Sequence, residues 1–275
     1  MTTPLNYLEL VIEIVRGRSP VPEHGRGPDD RMRLAEEHLA KLKEQNLGGS
    51  SGNEMLDQLI EAGPAILCML WDKMCPAALT MCGDKSLDQL VSALQTVEKE
   101  KIPGDLIETG VWRGGLPIIM RAFLHSVENR ERKVWLADSF KGLPNQTEDS
   151  NDRAAHLLLE PIFHLSVSRK QVENSLRFFG LLDDQVEILE GWFRDTLKTM
   201  PNRPLALIRL DGDYYESTLD ALEELYPRLS PGGFLIVDDY NLPLGCKRAV
   251  DEYRLLERIQ EPLIEINSQA VFWRK

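Results

Sequence analysis

The chain has 275 residues, 43% of them hydrophobic, enough to bury one large core with an extension and ordinary for a soluble globular protein. Its formal net charge of -12 disfavours general attraction to nucleic acid or to an anionic membrane surface. The N-terminus has no charged start followed by a long apolar run, so no secretory leader is expected, and a cytoplasmic protein is.

Leu5 to Arg16 has the spacing of an amphipathic helix. A Pro/Gly-rich stretch, Ser19 to Pro28, separates it from a second, charge-rich helix over Asp29 to Glu44, and Gly48 to Gly52 reads as a hinge. Such a helical layer is a lid over a site, an oligomerisation arm or plain padding of the core, and it divides the chain into residues 1–85 and 86–275. Pro64 to Cys82 is the most apolar segment, but Asp72, Lys73 and Pro76 interrupt it and it does not read as a membrane span. Cys68, Cys75, Cys82 and Cys246 lack the close pairs of a zinc site or a secreted disulfide framework and read as small core residues. Ser86 to Glu98 is a further amphipathic helix with Ser86 as its expected cap.

Asp105 to Thr109 is the first strand. It runs into Gly110-Val111-Trp112-Arg113-Gly114-Gly115 and a helix over Leu116 to Val127. Glycines between a strand and a helix allow close approach of a ligand, although the spacing is not G-x-G-x-x-G. Lys133 to Ala137 is the second strand and ends in Asp138, where an acid can hold a ribose diol. Glu108, at the tip of the first strand, suits an ammonium group. Ser139 to Pro161 is a long polar loop of the kind that touches substrate. It contains His156, with His164 close behind, and no partner in the sequence assigns either one a role. A helix over Ser168 to Phe179 precedes the third strand, Gln185 to Leu189. Trp192 follows, placed either to cover a flat base or to pack in the core.

The most informative stretch is Leu205 to Tyr240. Two short apolar runs, Leu205–Leu210 and Phe234–Val237, end in Asp211 and in Asp238-Asp239. They flank a helix over Ser217 to Leu229 that Ser230-Pro231-Gly232-Gly233 is expected to stop. A strand–helix–strand unit of this length makes the strands parallel, so their carboxyl ends share the ligand-binding edge of the sheet. Acidic strand ends are common caps. Three converging carboxylates, however, repel one another unless a positive charge lies among them, and hard oxygen donors suit Mg²⁺. A helix over Leu244 to Ile259 and a hairpin of Pro262–Asn267 with Ala270–Arg274 close the chain.

The alternating pattern predicts an α/β doubly wound, Rossmann-like sheet with a C-terminal antiparallel hairpin and an N-terminal helical lid or arm. The motifs ETGVWRGG (Glu108 to Gly115), DSFKGLP (Asp138 to Pro144), GWFRDTL (Gly191 to Leu197), LDGDYYEST (Leu210 to Thr218) and GGFLIVDDY (Gly232 to Tyr240) resemble the macrocin O-methyltransferase (TylF-like) family of class I S-adenosylmethionine-dependent methyltransferases. Those enzymes methylate sugar hydroxyls on antibiotics and related secondary metabolites. The resemblance implies that Glu108 and the turn containing Gly110, Gly114 and Gly115 hold the methionine part of S-adenosylmethionine. Asp138 would take the ribose, and Ser139, Gly191 and Trp192 the adenine. The segment containing Thr80 and Met81 would close over the cofactor, which Asp211 also approaches. Asp211, Asp238 and Asp239 match the family's Mg²⁺ ligands.

The chemistry then needs alignment, a metal and a base, because the sulfonium methyl is already activated. Asp211 is the expected base and His156 the alternative. The expected partner is a small hydroxyl acceptor, probed by the segments Met1 to Gly52 and Asn145 to Arg169, which depart most from the family pattern. A glycosylated natural product heads the expectations, and a catechol-type or other non-sugar hydroxyl offers the same paired oxygens. A non-catalytic S-adenosylmethionine-binding scaffold would not need the acidic trio. A NAD oxidoreductase shares the turn and Asp138 but leaves the later acids unexplained, and the acidic balance disfavours a nucleic-acid methyltransferase. The N-terminal helices point to a homodimer or higher homo-oligomer.

Overall fold

The computed structural model describes residues 7–17, 78–144, 147, 149, 151–153, 156 and 165–275. The expected helix over Asp29 to Glu44, the hinge, Cys68, Cys75 and His164 lie outside them. In chain order the elements are α1 (Tyr7–Val15), α2 (Asp84–Lys99), β1 (Asp105–Thr109), α3 (Gly115–Ser126), β2 (Val134–Asp138), α4 (Arg169–Phe178), β3 (Val186–Glu190), α5 (Phe193–Thr196), β4 (Leu205–Leu210), α6 (Tyr215–Leu225), β5 (Leu229–Val237), α7 (Cys246–Leu256), β6 (Ile264–Glu265) and β7 (Val271–Arg274).

Among the described residues, seven strands form one sheet in the order β3-β2-β1-β4-β5-β7-β6. The first five are parallel, and β7 and β6 form the expected antiparallel close. Chain order reverses between β1 and β4, which makes that junction the switch point where open α/β sheets take ligands.

Successive strand residues face opposite sides of a sheet, and the core divides accordingly. Leu106, Leu207 and Ile236 pack on one face with α1, α2 and α3, through residues such as Val11, Val15, Leu90 and Ile119. Ile107, Ile208 and Leu235 pack on the other with α6 and α7, through Leu222, Leu225, Val250 and Tyr253. Helix α1 thus contributes Val11 and Val15 to the core of the sheet domain itself.

Two local expectations need correction. Helix α2 starts at Asp84, and the Gly83 carbonyl accepts its first amides from Ser86 and Leu87. Ser86 therefore lies inside the first turn and is not the cap; its hydroxyl accepts from Asn267 Nδ2 at 2.8 Å. Helix α6 ends at Leu225 and tightens into a 3₁₀ turn over Tyr226–Arg228, where Pro227 cannot continue the hydrogen-bond ladder. Ser230 to Gly233 then belongs to the irregular first half of β5, with a register shift against β4. Helix α4 carries a reciprocal cap: the Ser168 hydroxyl accepts from the Gln171 amide while Gln171 Oε1 accepts from the Ser168 amide.

Candidate active site

The site is built around a buried cation. Arg209 lies in β4, and its register partner across the switch point is Glu108 in β1. Both are 2% exposed. Arg209 Nη1 donates to Glu108 Oε1 and, at 2.6 Å, to Asp211 Oδ2. Its Nη2 lies 2.7 Å from Asp238 Oδ1 and donates to Cys82 Sγ at 2.9 Å. The positive charge that converging carboxylates require is thus present within the chain, and the sequence reading did not single it out.

Strand geometry explains the cluster. The Asp211 amide bonds to the Thr109 carbonyl and the Asp238 amide to the Leu210 carbonyl, at 2.9 and 3.0 Å, so Gly110, Asp211 and Asp238 lie side by side just past three strand ends. With a period of two, Glu108, Arg209, Asp211 and Asp238 share the face that carries Leu106, Leu207 and Ile236. Asp239, one residue on, turns to the opposite face. One ligand atom each of Cys82, Asp211 and Asp238 lie within 4.8 Å of one another. Asp239 is outside that group and accepts from the Asp213 amide at 3.1 Å. The vicinal pair is therefore split across the sheet edge, close enough to interact but not merged into one cluster.

The acids outnumber the cation. Burial pushes Glu108 up to about 8, opposed by Arg209 and reinforced by Asp211. Burial, with Asp211 and Asp238, pushes Asp213 up to about 8. Burial raises Asp238 to about 6 against the pull of Arg209, and raises Asp239 well above its usual range with Asp213, Asp211 and Asp238 adding to the effect. The Cys82 thiol is likewise held up by burial. A cluster with surplus negative charge and hard oxygen donors at Asp211 and Asp238 fits a Mg²⁺-type ion better than a soft one, because the neighbouring sulfur is a protonated thiol.

A cavity of about 470 Å³ opens at this edge. Of the residues expected to hold a cofactor, Met81, Gly110, Asp138, Ser139, Trp192 and Asp211 line it. Thr80, Glu108, Gly114, Gly115 and Gly191 do not. Thr80 and Glu108 are buried, and the glycines serve the backbone. A Cβ on Gly110 would lie 1.7 Å from the Asp211 carbonyl oxygen, and one on Gly115 2.4 Å from that of Leu79. Asp138 accepts the Val111 amide on one carboxylate oxygen and the Phe140 amide on the other, each at 2.7 Å, so it also pins the glycine turn. Trp192 precedes the short helix α5 and faces the cavity. His156 packs edge-on against Tyr214 at 6.4 Å and is not among the lining residues. Its Nδ1 is buried without a hydrogen-bond partner among the described residues.

Residues 28–275 match the macrocin-O-methyltransferase (TylF) family. The chain belongs to that family. It is 50% identical, over 216 residues, to the 8-demethyl-8-(2,3-dimethoxy-alpha-L-rhamnosyl)-tetracenomycin-C 4'-O-methyltransferase of Streptomyces olivaceus, covering 78% of this chain and 81% of that one. Against the mycinamicin III 3''-O-methyltransferase of Micromonospora griseorubida the identity is 45% over 201 residues, 72% of this chain and 79% of the other. Among solved structures, the O-methyltransferase NovP superposes with a TM-score of 0.68 at 47% identity, covering 72% of this chain and 82% of that one. The calicheamicin methyltransferase CalS11 shares the fold, with a TM-score of 0.55 at 18% identity over 93% of this chain and 98% of that one. As a TylF-family member the chain is an O-methyltransferase. No helix among its described residues is long and apolar enough to cross a membrane.

Proposed function

We propose that this O-methyltransferase moves a methyl group from S-adenosylmethionine to a sugar hydroxyl on a natural product, with Mg²⁺ held by Asp211 and Asp238, while Asp239 lies beyond them on the other side of the sheet edge. The observation that carries the reading is the cavity at the switch point. Asp138 and Trp192 enter it from β2 and β3, and Asp211 and Asp213 from β4. A cofactor can therefore lie across the strand ends with its reactive end towards the acids. The relatives named for methylation of rhamnosyl-tetracenomycin and mycinamicin compounds support a glycosylated acceptor.

In this reading Asp138 receives the ribose hydroxyls, Ser139 and Trp192 enclose the adenine, and Gly110 lets the backbone approach the methionine end. Glu108 sits beneath that end as the counter-charge for its ammonium group. Thr80 and Met81 cover the cofactor and exclude water, while Gly114, Gly115 and Gly191 shape the turns. S-adenosylmethionine supplies a methyl group already activated on a positive sulfur, and Mg²⁺ makes a hydroxyl it touches more acidic. Asp211 has Oδ2 committed to Arg209, so Oδ1 is the atom that takes the hydroxyl proton.

The reading is tested by incubating the protein with S-adenosylmethionine carrying a deuterated methyl group and a panel of desmethyl glycosylated macrolides, aminocoumarins, anthracyclines and simple catechols. Mass spectrometry should locate one labelled methyl on a sugar of a glycosylated member, and chelation should abolish transfer. Label on catechols alone would replace the sugar acceptor with the catechol-type one. Binding of S-adenosylhomocysteine with no transfer to any member, at any metal concentration, would leave only a scaffold.

A further inference from the structure

The guanidinium of Arg209 joins three parts of the site. It meets Glu108, placed for the cofactor's ammonium group, Asp211 and Asp238, placed for the metal, and Cys82, in the segment beside Met81. All four Nη hydrogens are engaged, in directions a planar fork holds fixed and a lysine ammonium would not reproduce. Resting on the functional reading above, we propose that Arg209 is a positioning residue that stands in electrostatically for the divalent cation, holding Glu108 and the metal carboxylates in their working places before any metal arrives. It thereby lets the cofactor bind in the absence of metal.

The physical case is one of compensation. A buried arginine is costly unless its charge is paired and its donors are satisfied, and here both conditions hold. Removing it would leave the buried Glu108 and the half-buried Asp211 and Asp238 side by side without a counter-charge, and breaking a buried pair such as Arg209–Glu108 is strongly destabilising. Such a cluster reorganises until another cation enters. A divalent ion at Asp211 and Asp238 is the one the site can accept, so without Arg209 the cofactor pocket should become dependent on metal. Position in the fold supports the assignment: Arg209 is one strand residue from the core positions Ile208 and Leu210, on a strand otherwise apolar throughout. A charge there serves no solvent contact.

The test is calorimetric titration of S-adenosylhomocysteine into wild type, Arg209→Met and Arg209→Lys, each with EDTA and with Mg²⁺, paired with thermal unfolding in the same buffers. Wild type should bind with Kd values within about threefold of each other in the two buffers. Arg209→Met should bind at least about tenfold more weakly in EDTA, and Mg²⁺ should recover most of that loss and raise its unfolding temperature. Arg209→Lys should show a smaller loss with the same recovery, and it decides the matter if Arg209→Met does not fold. A merely structural arginine would lower the unfolding temperature of the variants with no recovery by Mg²⁺, which would overturn the proposal. So would Arg209→Met binding as tightly as wild type in EDTA. Failure of wild type to bind S-adenosylhomocysteine in either buffer would instead sink the functional reading.

Discussion

The Asp152 carboxylate occupies the space that a side chain at Gly245 would need: a Cβ there would lie 2.5 Å from Asp152 Oδ2, and the Gly245 amide donates to Oδ1 at 2.7 Å. Oδ2 accepts the Tyr215 amide, also at 2.7 Å. One fully buried carboxylate in the segment between β2 and α4 thus ties together the starts of α6 and α7. Thr147 on Glu216 and Arg248 on Asp149 fasten the same loop nearby. Asp152→Asn keeps the shape but can accept only one of the two amides, so it should lower stability by about 1–3 kcal/mol. If the loop forms a wall for the acceptor, KM for the acceptor should rise while affinity for S-adenosylhomocysteine stays within about threefold of wild type.

The same carboxylate gives a pH signature. Burial raises it to about 6 against the two amides, with Asp149 and Glu216 adding to the rise. A group raised above its unfolded value contributes stability that is full below the ordinary aspartate range and is lost as pH rises through its folded value. The deficit of Asp152→Asn relative to wild type should therefore be largest below pH of about 4 and should shrink as pH passes about 6. Denaturant unfolding of both proteins across that window measures it. A deficit that grows with pH would contradict the assignment.

Gly110 is fixed by a neighbour rather than by a ligand alone. It has φ +83°, and an added Cβ would run into the Asp211 carbonyl. Gly110→Ala combines a left-handed backbone with overpacking and should cost about 2–5 kcal/mol. Thermal unfolding should show the loss. An unchanged midpoint would mean that the β1 and β4 ends are farther apart in solution.

Much of this arrangement is legible in the chain. Short apolar runs ending in acid, linked by a helix, predict parallel strands with converging carboxylates, and the ends of β4 and β5 meet as that reasoning requires. Arg209 escaped because its partner Glu108 is distant in sequence, and only the placing of β1 beside β4 brings the two together. A charge in the apolar run LIRL, two residues before Asp211 and therefore on its face, was the available signal. Asp238 and Asp239 read as a pair, yet alternation of side chains separates them onto opposite faces. Asp152 left no trace because both of its partners are backbone amides, which no side-chain pattern announces.

Asp138 has two tasks in the proposed complex. Its oxygens already hold the Val111 and Phe140 amides, and the residue lines the cavity where a ribose would lie. Asp138→Ala removes both contributions and should weaken S-adenosylhomocysteine binding by at least about tenfold, as expected for losing hydrogen bonds to a charged group. Asp138→Asn should fall between that variant and wild type. Calorimetry on all three checks the order, and equal affinities would remove Asp138 from the cofactor site.

Asp211 is the sharpest test of the chemistry. Its Oδ2 is bound to Arg209 at 2.6 Å, and Asp211→Asn can keep an oxygen there, so the frame of Glu108, Arg209 and Asp238 should survive. The variant loses a negative charge and the atom assigned to take the acceptor's proton. Turnover should fall by about 10²–10⁴-fold, the range for losing a positioned base, while S-adenosylhomocysteine affinity stays within about threefold of wild type. Initial rates and calorimetry measure the two separately. His156, packed against Tyr214 and off the cavity wall, should tolerate substitution by Asn with most activity retained. If Asp211→Asn keeps full activity and His156→Asn loses it, the proton is taken by the histidine.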